Sequence, residues 1–359
     1  MSAALGIDLL VAAALAAIVF SLLRHAASTL LVVVVPLALV HGAVGAVAPP
    51  LVDAGFVFVL TAALPVAARH LRLVCDGMPP RQAFAAALRR SGLLGVLALG
   101  ALSLPLLLMA AHEDMIALAA VLGAFVLTLA ALGLGIHAPY TEDFVARANR
   151  ARERRETAMT RLDVIAQPRW GFAVLGTATI LGTLEGFGLK GLGWQDGAAI
   201  YFPLVAFCLL LAGLAAIRDW RLAVAAALTQ ALVIGLTFAA RTKGHAGPLP
   251  ALHLAWAAGA LPLWMLGASW RRALNQGGEP AAALMRALRE DGPAAFAAAL
   301  LGALPGLVLL CETWPRPWPV AVAACAVPFA MFPIFPGIGI AIYALLPRYR
   351  SVDEVFGRR

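Results

Sequence analysis

Eleven long apolar runs dominate this sequence, and each is long enough to cross a lipid bilayer. A helix needs about 20 apolar residues to span roughly 30 Å of hydrocarbon. Only 13% of the 359 residues are charged, whereas soluble domains carry about 25%. The sequence therefore predicts an all-α, polytopic transmembrane helical bundle. The predicted spans are 7–23, 29–47, 54–69, 92–111, 116–138, 170–188, 199–217, 222–240, 251–269, 294–311 and 319–346.

Lysine and arginine fall mostly on one side of the predicted membrane. When the spans are followed in alternation, one side holds 23 of the 27 basic residues, and the other holds four. Cytoplasmic loops carry such an excess. We therefore expect a multi-pass protein of the bacterial cytoplasmic (inner) membrane, with the N-terminus outside and the C-terminus in the cytoplasm. Because the positive charge is not gathered in one patch, we expect no nucleic-acid partner.

The chain carries an internal repeat at an offset of 200 residues. Without gaps, residues 72–107 align with residues 272–307, and twelve of the thirty-six positions are identical. Two glycines and two prolines are among the identities. Paired spans are six helices apart, an even number, so they share one orientation. We expect two parallel pseudo-repeats, related by an axis along the membrane normal.

Three segments follow from the repeat. We expect a first membrane repeat of about five spans at 1–139, a cytoplasmic connector helix at 140–168, and a second membrane repeat of about six spans at 169–359. The connector has alternating charges, as a solvated helix does. Binding to anionic lipid headgroups is the other interpretation of its arginines.

A short helix is predicted between the third and fourth spans of each repeat, at 77–92 and at 277–292. Each segment has a turn and then a proline suited to the first helical position. Phe84 and Leu88 lie four residues apart on one face, and the arginines lie on other faces. The pattern fits a helix in the inner membrane interface, and equally a connecting helix packed on the bundle.

These duplicated stretches resemble the membrane domain of the resistance-nodulation-division (RND) superfamily, especially its MMPL-type lipid exporters. The resemblance rests on RHLRLVCDGMPPRQAFAAALRRSG and WRRALNQGGEPAAALMRALREDG, and on tight basic turns after Leu23 and Ile217. In that family a helix ends in basic residues and is followed by a Gly-containing turn, an Ala-rich cytoplasmic helix and two more spans. The resemblance covers most of the chain and implies a transporter-like fold.

The chain departs from the family's pattern in three ways. The family has twelve spans, and the first of them, which would pair with 170–188, is not found here. The large extracytoplasmic porter domains are lacking, and the second is reduced to 189–197. Proton-driven relatives carry mid-membrane aspartates, but the corresponding positions here fall near Thr61 and Leu261. The resemblance therefore implies the fold without the usual coupling residues.

Four ionisable residues in the outer part of the predicted spans are candidates for binding substrate or protons: Glu185, Asp53, His253 and His41. An acid within hydrocarbon, such as Glu185, is costly unless it is compensated. Asp53 and His253 are equivalent in the repeat, and histidine titrates near neutral pH. The plainer interpretation is that Glu185 reaches water or Lys190 and that the other three are interface residues.

No nucleophile–base set, phosphate-binding loop or metal-ligand spacing occurs, so the sequence predicts no enzyme, no cofactor and no metal site. The favoured function is an RND/MMPL-like transporter, or transporter subunit, for a lipidic or hydrophobic substrate. Membrane lipids, and a homo-oligomer or a periplasmic partner protein, are the expected partners. The alternative is a non-transporting scaffold or assembly subunit of a lipid or pigment pathway. A third is an intramembrane lipid-modifying enzyme that uses the outer-face histidine and acids.

Overall fold

The computed structural model describes residues 49–108, 112–134, 142–191, 198–243, 249–313 and 334–346. Within these ranges every regular element is a helix and none is a strand. The predicted all-α class is therefore confirmed. The predicted spans 7–23 and 29–47, together with His41, lie outside the described residues.

The other nine predicted spans all coincide with helices, although only the C-terminal part of the last one is described. A π-helical turn at Leu88–Gly92 and a 3-10 segment at Thr160–Ala166 join consecutive helices. The helices are α1 (Pro49–Cys75), α2 (Pro80–Ala87), α3 (Leu93–Leu108), α4 (His112–Leu134), α5 (Glu142–Met159), α6 (Pro168–Gly191), α7 (Ala198–Ile217), α8 (Trp220–Lys243), α9 (Leu249–Asn275), α10 (Pro280–Glu290), α11 (Gly292–Thr313) and α12 (Phe335–Leu345).

Two helices of 27 residues, α1 and α9, form the centre of the described structure. They pack against each other more extensively than any other pair of described elements. Every side chain of residues 55–67 and 254–267 is buried. These helices are apolar around their whole circumference because each is surrounded by other helices.

The two repeats are interleaved around this central pair. Helix α1 of the first repeat packs on α11 of the second, and α9 of the second repeat packs on α3 of the first. Helix α3 also packs on α7. Each repeat therefore completes the core of the other, and neither buries its central helix alone.

The turn after each central helix has the same geometry in both repeats. Gly77 has a φ of 91° and Gly277 a φ of 89°, which is the left-handed region that glycine adopts without steric cost. The Gly77 N–H donates to the Val74 carbonyl at 3.0 Å, and the Gly277 N–H donates to the Leu274 carbonyl at 3.1 Å. The sequence repeat at an offset of 200 residues thus corresponds to a repeat of backbone structure.

The helix after this turn differs between the repeats. Helix α2 continues through the π-helical turn into α3, whereas α10 ends at Glu290 and Asp291 forms its C-terminal cap. Pro293 accounts for the difference, because it lacks the N–H that would bond the carbonyl four residues earlier, and Leu93 occupies the equivalent position. Helix α10 packs on α9 and on α5. For the second repeat, the interpretation as a connecting helix packed on the bundle is therefore correct.

The predicted connector is helical. It consists of α5 followed by the 3-10 segment, and α6 begins at Pro168. Both parts pack against α10. The division into segments at 1–139, 140–168 and 169–359 stays a prediction.

Helices α6 and α12 approach each other closely through glycines. A Cβ atom placed on Gly171 would lie 2.8 Å from the Gly337 carbonyl oxygen, and one placed on Gly337 would lie 2.8 Å from the Val174 Cβ. Small residues allow such backbone contact between helices in membranes. At Gly171, backbone atoms of α12 therefore leave no room for a side chain, and at Gly337 the Val174 side chain of α6 fills the space.

The described surface is strongly apolar in places. Two helical stretches, Gly55–Cys75 and Pro80–Ala101, are long and apolar enough to cross a bilayer among the residues whose side chains are described. Ile180, Phe207 and Val126 are 62%, 56% and 54% exposed. Lipid chains would cover such side chains more favourably than water.

Gly77→Ala should lower the stability of the detergent-solubilised protein by about 1 kcal/mol, because alanine is strained at positive φ. No atom lies within 4 Å of the position of a Cβ at Gly77, so the cost comes from the backbone alone. Thermal unfolding followed by tryptophan fluorescence measures it. The control is Gly100→Ala, in helical backbone with equally open space, which should be neutral or stabilising. Equal midpoints for the two variants would contradict the assigned turn.

Gly171→Ala should destabilise the protein by about 1–3 kcal/mol, because overpacking forces α6 and α12 apart. Gly176→Ala is the matched control on the same helix, since no atom lies within 4 Å of the position of its Cβ. The midpoint of thermal unfolding should fall for the first variant only. If both variants unfold like the wild type, α6 and α12 are not in backbone contact.

Candidate functional site: a charged junction between the repeats

A cluster of charged side chains, the charged junction, lies at the C-terminal ends of the central helices and is formed by Arg72, Arg272, Glu290 and Asp291. Arg272 Nη2 donates to Asp291 Oδ2 at 2.6 Å. Arg72 Nη1 lies 3.7 Å from Asp291 Oδ1, and Arg72 Nη2 lies 3.5 Å from Glu290 Oε2. The Asp291 side chain is 12% exposed, so the bulk of its charge is balanced by these guanidinium groups and not by water.

This arrangement establishes the relative direction of the two central helices. Arg72 lies near the C-terminal end of α1, and Arg272 lies at the equivalent position of α9. Since both bind the carboxylate of Asp291, the C-terminal ends of α1 and α9 lie together. The helices therefore run in the same direction, as the parallel repeat predicted.

The junction is asymmetric in charge although its framework is duplicated. The second repeat has Glu290 and Asp291 where the first has Arg90 and Ser91. The Asp291 N–H donates to the Ala287 carbonyl, which holds the carboxylate at the end of α10. One carboxylate thus serves two equivalent arginines, one from each repeat.

Arg69 lies beside the junction without a carboxylate of its own. The charged groups that act on it are Arg272, Asp291, Arg90 and Arg72, and no described carboxylate comes within 4.0 Å of it. Its Nε is buried and has no hydrogen-bond acceptor among the described residues. Three of its four charged neighbours carry its own sign of charge. Arg69 is therefore a partly buried charge with no carboxylate within 4.0 Å among the described residues.

Aromatic rings connect each central helix to the short helix that follows it. Trp270 Nε1 donates to the Pro280 carbonyl at 2.9 Å, and the equivalent His70 hydrogen-bonds the backbone carbonyl of Pro80. The His70 ring also meets the Phe84 ring edge-on at 5.8 Å. In both repeats, a ring on the central helix is thus hydrogen-bonded to the first residue of the short helix that follows.

The middle of the central pair is apolar. Thr61 and Leu261, at the positions where proton-driven relatives carry aspartates, are 1% and 2% exposed. Thr61 Oγ1 is buried with no hydrogen-bond partner among the described residues. Nearby, Gln230 Nε2 of α8 donates to the Trp256 carbonyl of α9 at 3.4 Å. Nothing on α1 or α9 at this depth can carry a proton at neutral pH.

The residues predicted from sequence as binding sites stay untested. Asp53 and His253 are each the fifth residue of a central helix, so the parallel packing places their backbones at the same level, at the end opposite the charged junction. Glu185 is on α6, which packs mainly on α12 and α8 and not on the central pair. The side chains of these three residues, and all of His41, lie outside what the structure describes. Among described side chains, no three His, Cys, Asp or Glu come together as metal ligands.

A basic stripe runs along the exposed face of α5. Arg147, Arg150 and Arg154 line an open groove of about 530 Å³ together with Ala151. Two of the guanidinium groups donate to carbonyls of their own helix, at Asp143 and Ala146. All three arginines are exposed, in contrast to Arg69.

The fold has a counterpart among solved structures. A crystal structure of SecDF in its super-membrane-facing form matches with a TM-score of 0.57 and 13% identity. The match covers 98% of this chain and 64% of the SecDF chain, so this chain spans somewhat less than two thirds of that protein's length. No protein-family profile and no curated protein sequence matches the chain significantly. The chain therefore shares a helical fold with this structure.

Asp291→Asn should destabilise the protein by about 1–3 kcal/mol, because Arg72 and Arg272 would face each other without their shared carboxylate. Asp76→Asn is the control: its side chain is 47% exposed and lies 3.9 Å from Arg72, so its removal should cost about 0.5 kcal/mol or less. Urea or thermal unfolding in detergent compares them. If the two variants are equally stable, the junction does not hold the repeats together.

Proposed function

We propose that this protein is an RND-like membrane transporter, or a transporter subunit, for a lipidic or hydrophobic substrate in the bacterial cytoplasmic membrane. The observation that supports this most directly is the pair of equivalent central helices, which run in the same direction and share one carboxylate at their inner ends. Two similar modules around a common axis are the architecture in which one half moves against the other. The likeness to SecDF in fold agrees with it.

The interleaved packing suggests how such a movement would be transmitted. Because α1 packs on α11 and α9 packs on α3, a rotation of either repeat displaces helices of both. The hydrogen bonds from the His70 and Trp270 rings to the carbonyls of Pro80 and Pro280 would transmit that displacement to α2 and α10. Exposed apolar side chains on α4, α6 and α7 support contact with lipid on the same helices. A lipidic substrate would move along this surface or between the repeats.

A second candidate function is a non-transporting scaffold that assembles with a partner protein. The observation that favours it is the absence of an ionisable group at Thr61 and Leu261, the positions that carry aspartates in proton-driven relatives. A scaffold needs the rigid interleaved core and no coupling residue. Its partner would remain bound through purification in mild detergent.

Proteoliposomes distinguish these two functions. The purified protein, reconstituted with a fluorescent phospholipid, should accelerate movement of the lipid between leaflets, measured by quenching from outside. Asp291→Asn should slow this movement about tenfold or more if it removes roughly 1.4 kcal/mol from the coupling of the repeats, whereas Asp76→Asn should not. Wild-type protein that moves no lipid, and that purifies with a stoichiometric partner, is a scaffold.

Single cysteines test the membrane orientation. In a variant with Cys75, Cys208, Cys311 and Cys325 replaced by serine, Arg81→Cys and Arg286→Cys should both react with an impermeant maleimide only after the cells are permeabilised. Both positions are exposed and lie on the predicted cytoplasmic side.

Lys243→Cys, at the end of α8, is the control for the outer face and should react in intact cells. Labelling of the cysteines at 81 and 286 from opposite sides of the membrane would contradict both the parallel repeat and the proposed transporter architecture.

A further inference from the structure

We propose that the inner end of the central helix pair is an anion-binding site, which holds the phosphate or carboxylate headgroup of an amphiphile through Arg69, Arg72, Arg272 and Ser269. The proposal rests on the proposed function and names its substrate class: an anionic amphiphile of the inner leaflet. The ligand is recognised by its charge and by its acceptor oxygens. Its acyl chains would lie against the apolar surface of the neighbouring helices.

The first argument is the charge balance of the junction. Four guanidinium groups belong to this region: Arg72 and Arg272 bind Asp291, and Arg69 interacts electrostatically with Arg72, Arg90, Arg272 and Asp291. The carboxylates of Glu290, Asp291 and Asp76 face them. Four positive charges against three negative charges leave an excess of one. The carboxylates are all paired with Arg72 or Arg272, which leaves Arg69 and Arg90 without one within 4.0 Å among the described residues. Arg90 is exposed to solvent, whereas Arg69 is partly buried.

The second argument is the burial of Arg69. A charge removed from water needs a partner charge or a full set of hydrogen bonds. Arg69 Nε is buried and has no acceptor, and three of the four charged groups around Arg69 repel it. An anionic oxygen at this position would supply the missing acceptor and neutralise the excess charge. Guanidinium groups bind phosphate and carboxylate in pairs of parallel hydrogen bonds, which suits this role.

The third argument comes from the other repeat. Ser269 of α9 is equivalent to Arg69 of α1 at the offset of 200 residues, and α1 and α9 run side by side in the same direction. Ser269 is 1% exposed, and its Oγ has no hydrogen-bond partner. Two equivalent positions on the two packed helices thus each carry a buried polar atom without a partner among the described residues. A hydroxyl donor and a guanidinium at one level form a donor set for one anion.

The depth of the site along the central helices indicates that the anion is a lipid headgroup. Arg69 lies 16 residues after Asp53 along α1, which is about 24 Å of helix. Arg69 therefore lies at the inner end of the apolar stretch, at the depth where headgroups of the inner leaflet begin. Partial burial between helices excludes a large polyanion, whereas a single headgroup needs only a few donors. The exposed stripe of Arg147, Arg150 and Arg154 lacks this burial and serves as its control.

The test measures binding in detergent with the purified full chain. Thermal unfolding is followed while phosphatidylglycerol, phosphatidylcholine or inorganic phosphate is added. Phosphatidylglycerol should raise the midpoint of the wild type and phosphatidylcholine should not. Arg69→Gln should weaken the effect of phosphatidylglycerol about tenfold or more, the factor expected from one lost charge-assisted hydrogen bond. Arg150→Gln, which removes one exposed arginine from α5, should leave the effect unchanged.

Ser269→Ala is a second test of the site, which remains informative if Arg69→Gln fails to fold. Removal of a hydroxyl without a partner should leave the unliganded protein as stable as the wild type. The same variant should still weaken phosphatidylglycerol binding several-fold. An unchanged response to phosphatidylglycerol in both Arg69→Gln and Ser269→Ala, or an equal loss in Arg150→Gln, would overturn the site.

The remaining measurements distinguish a lipid headgroup from a free anion. They also test the binding site separately from the transporter function. If inorganic phosphate alone stabilises the wild type as much as phosphatidylglycerol does, the ligand is a free anion and the amphiphile assignment is wrong. If phosphatidylglycerol binds through Arg69 while proteoliposomes show no lipid movement, the site stands and the transporter function fails. If lipid moves at the wild-type rate in Arg69→Gln, the transporter stands and this site is not part of the route.

Discussion

The side-by-side packing of α1 and α9 in one direction is the constraint from which the rest of the described structure follows. Two parallel helices bring their C-terminal ends together, and each of these ends carries arginines. Like charges at one level repel unless a carboxylate lies between them. Asp291 supplies that carboxylate. The central pair is thus mostly apolar along its length and ends in a cluster of ion pairs at the charged junction.

The helices and their repeat could be predicted from the sequence because both leave local patterns. Uninterrupted apolar runs mark the spans, and the matched glycines and prolines after residues 75 and 275 mark the turns. The turn at Gly77 was expected as part of a repeated segment, and the positive φ at both glycines agrees with it. The difference between α2 and α10 also has a local cause in Pro293.

The charged junction could not be predicted in the same way. Arg72 and Asp291 are far apart in the chain, and nothing near either residue indicates the other as its partner. His70 and Trp270 do not match as residue types, yet each bonds the proline carbonyl ten residues later. The sequence drew attention to ionisable residues at the outer face instead, because an acid in an apolar run is conspicuous. Arg69 is harder to recognise, because it lies among other basic residues near the C-terminal end of α1 and the sequence does not show that it is partly buried.

The single shared carboxylate makes the two halves of the chain non-interchangeable. A protein made of two copies of the first half would bring Arg72 and Arg90 from both sides to the axis, with no acid between them. Two copies of the second half would instead place four carboxylates around two arginines. The difference between residues 90 and 91 and residues 290 and 291 therefore makes the two halves complementary in charge at the junction. A split version of the gene should yield a functional protein only when both unlike halves are expressed together.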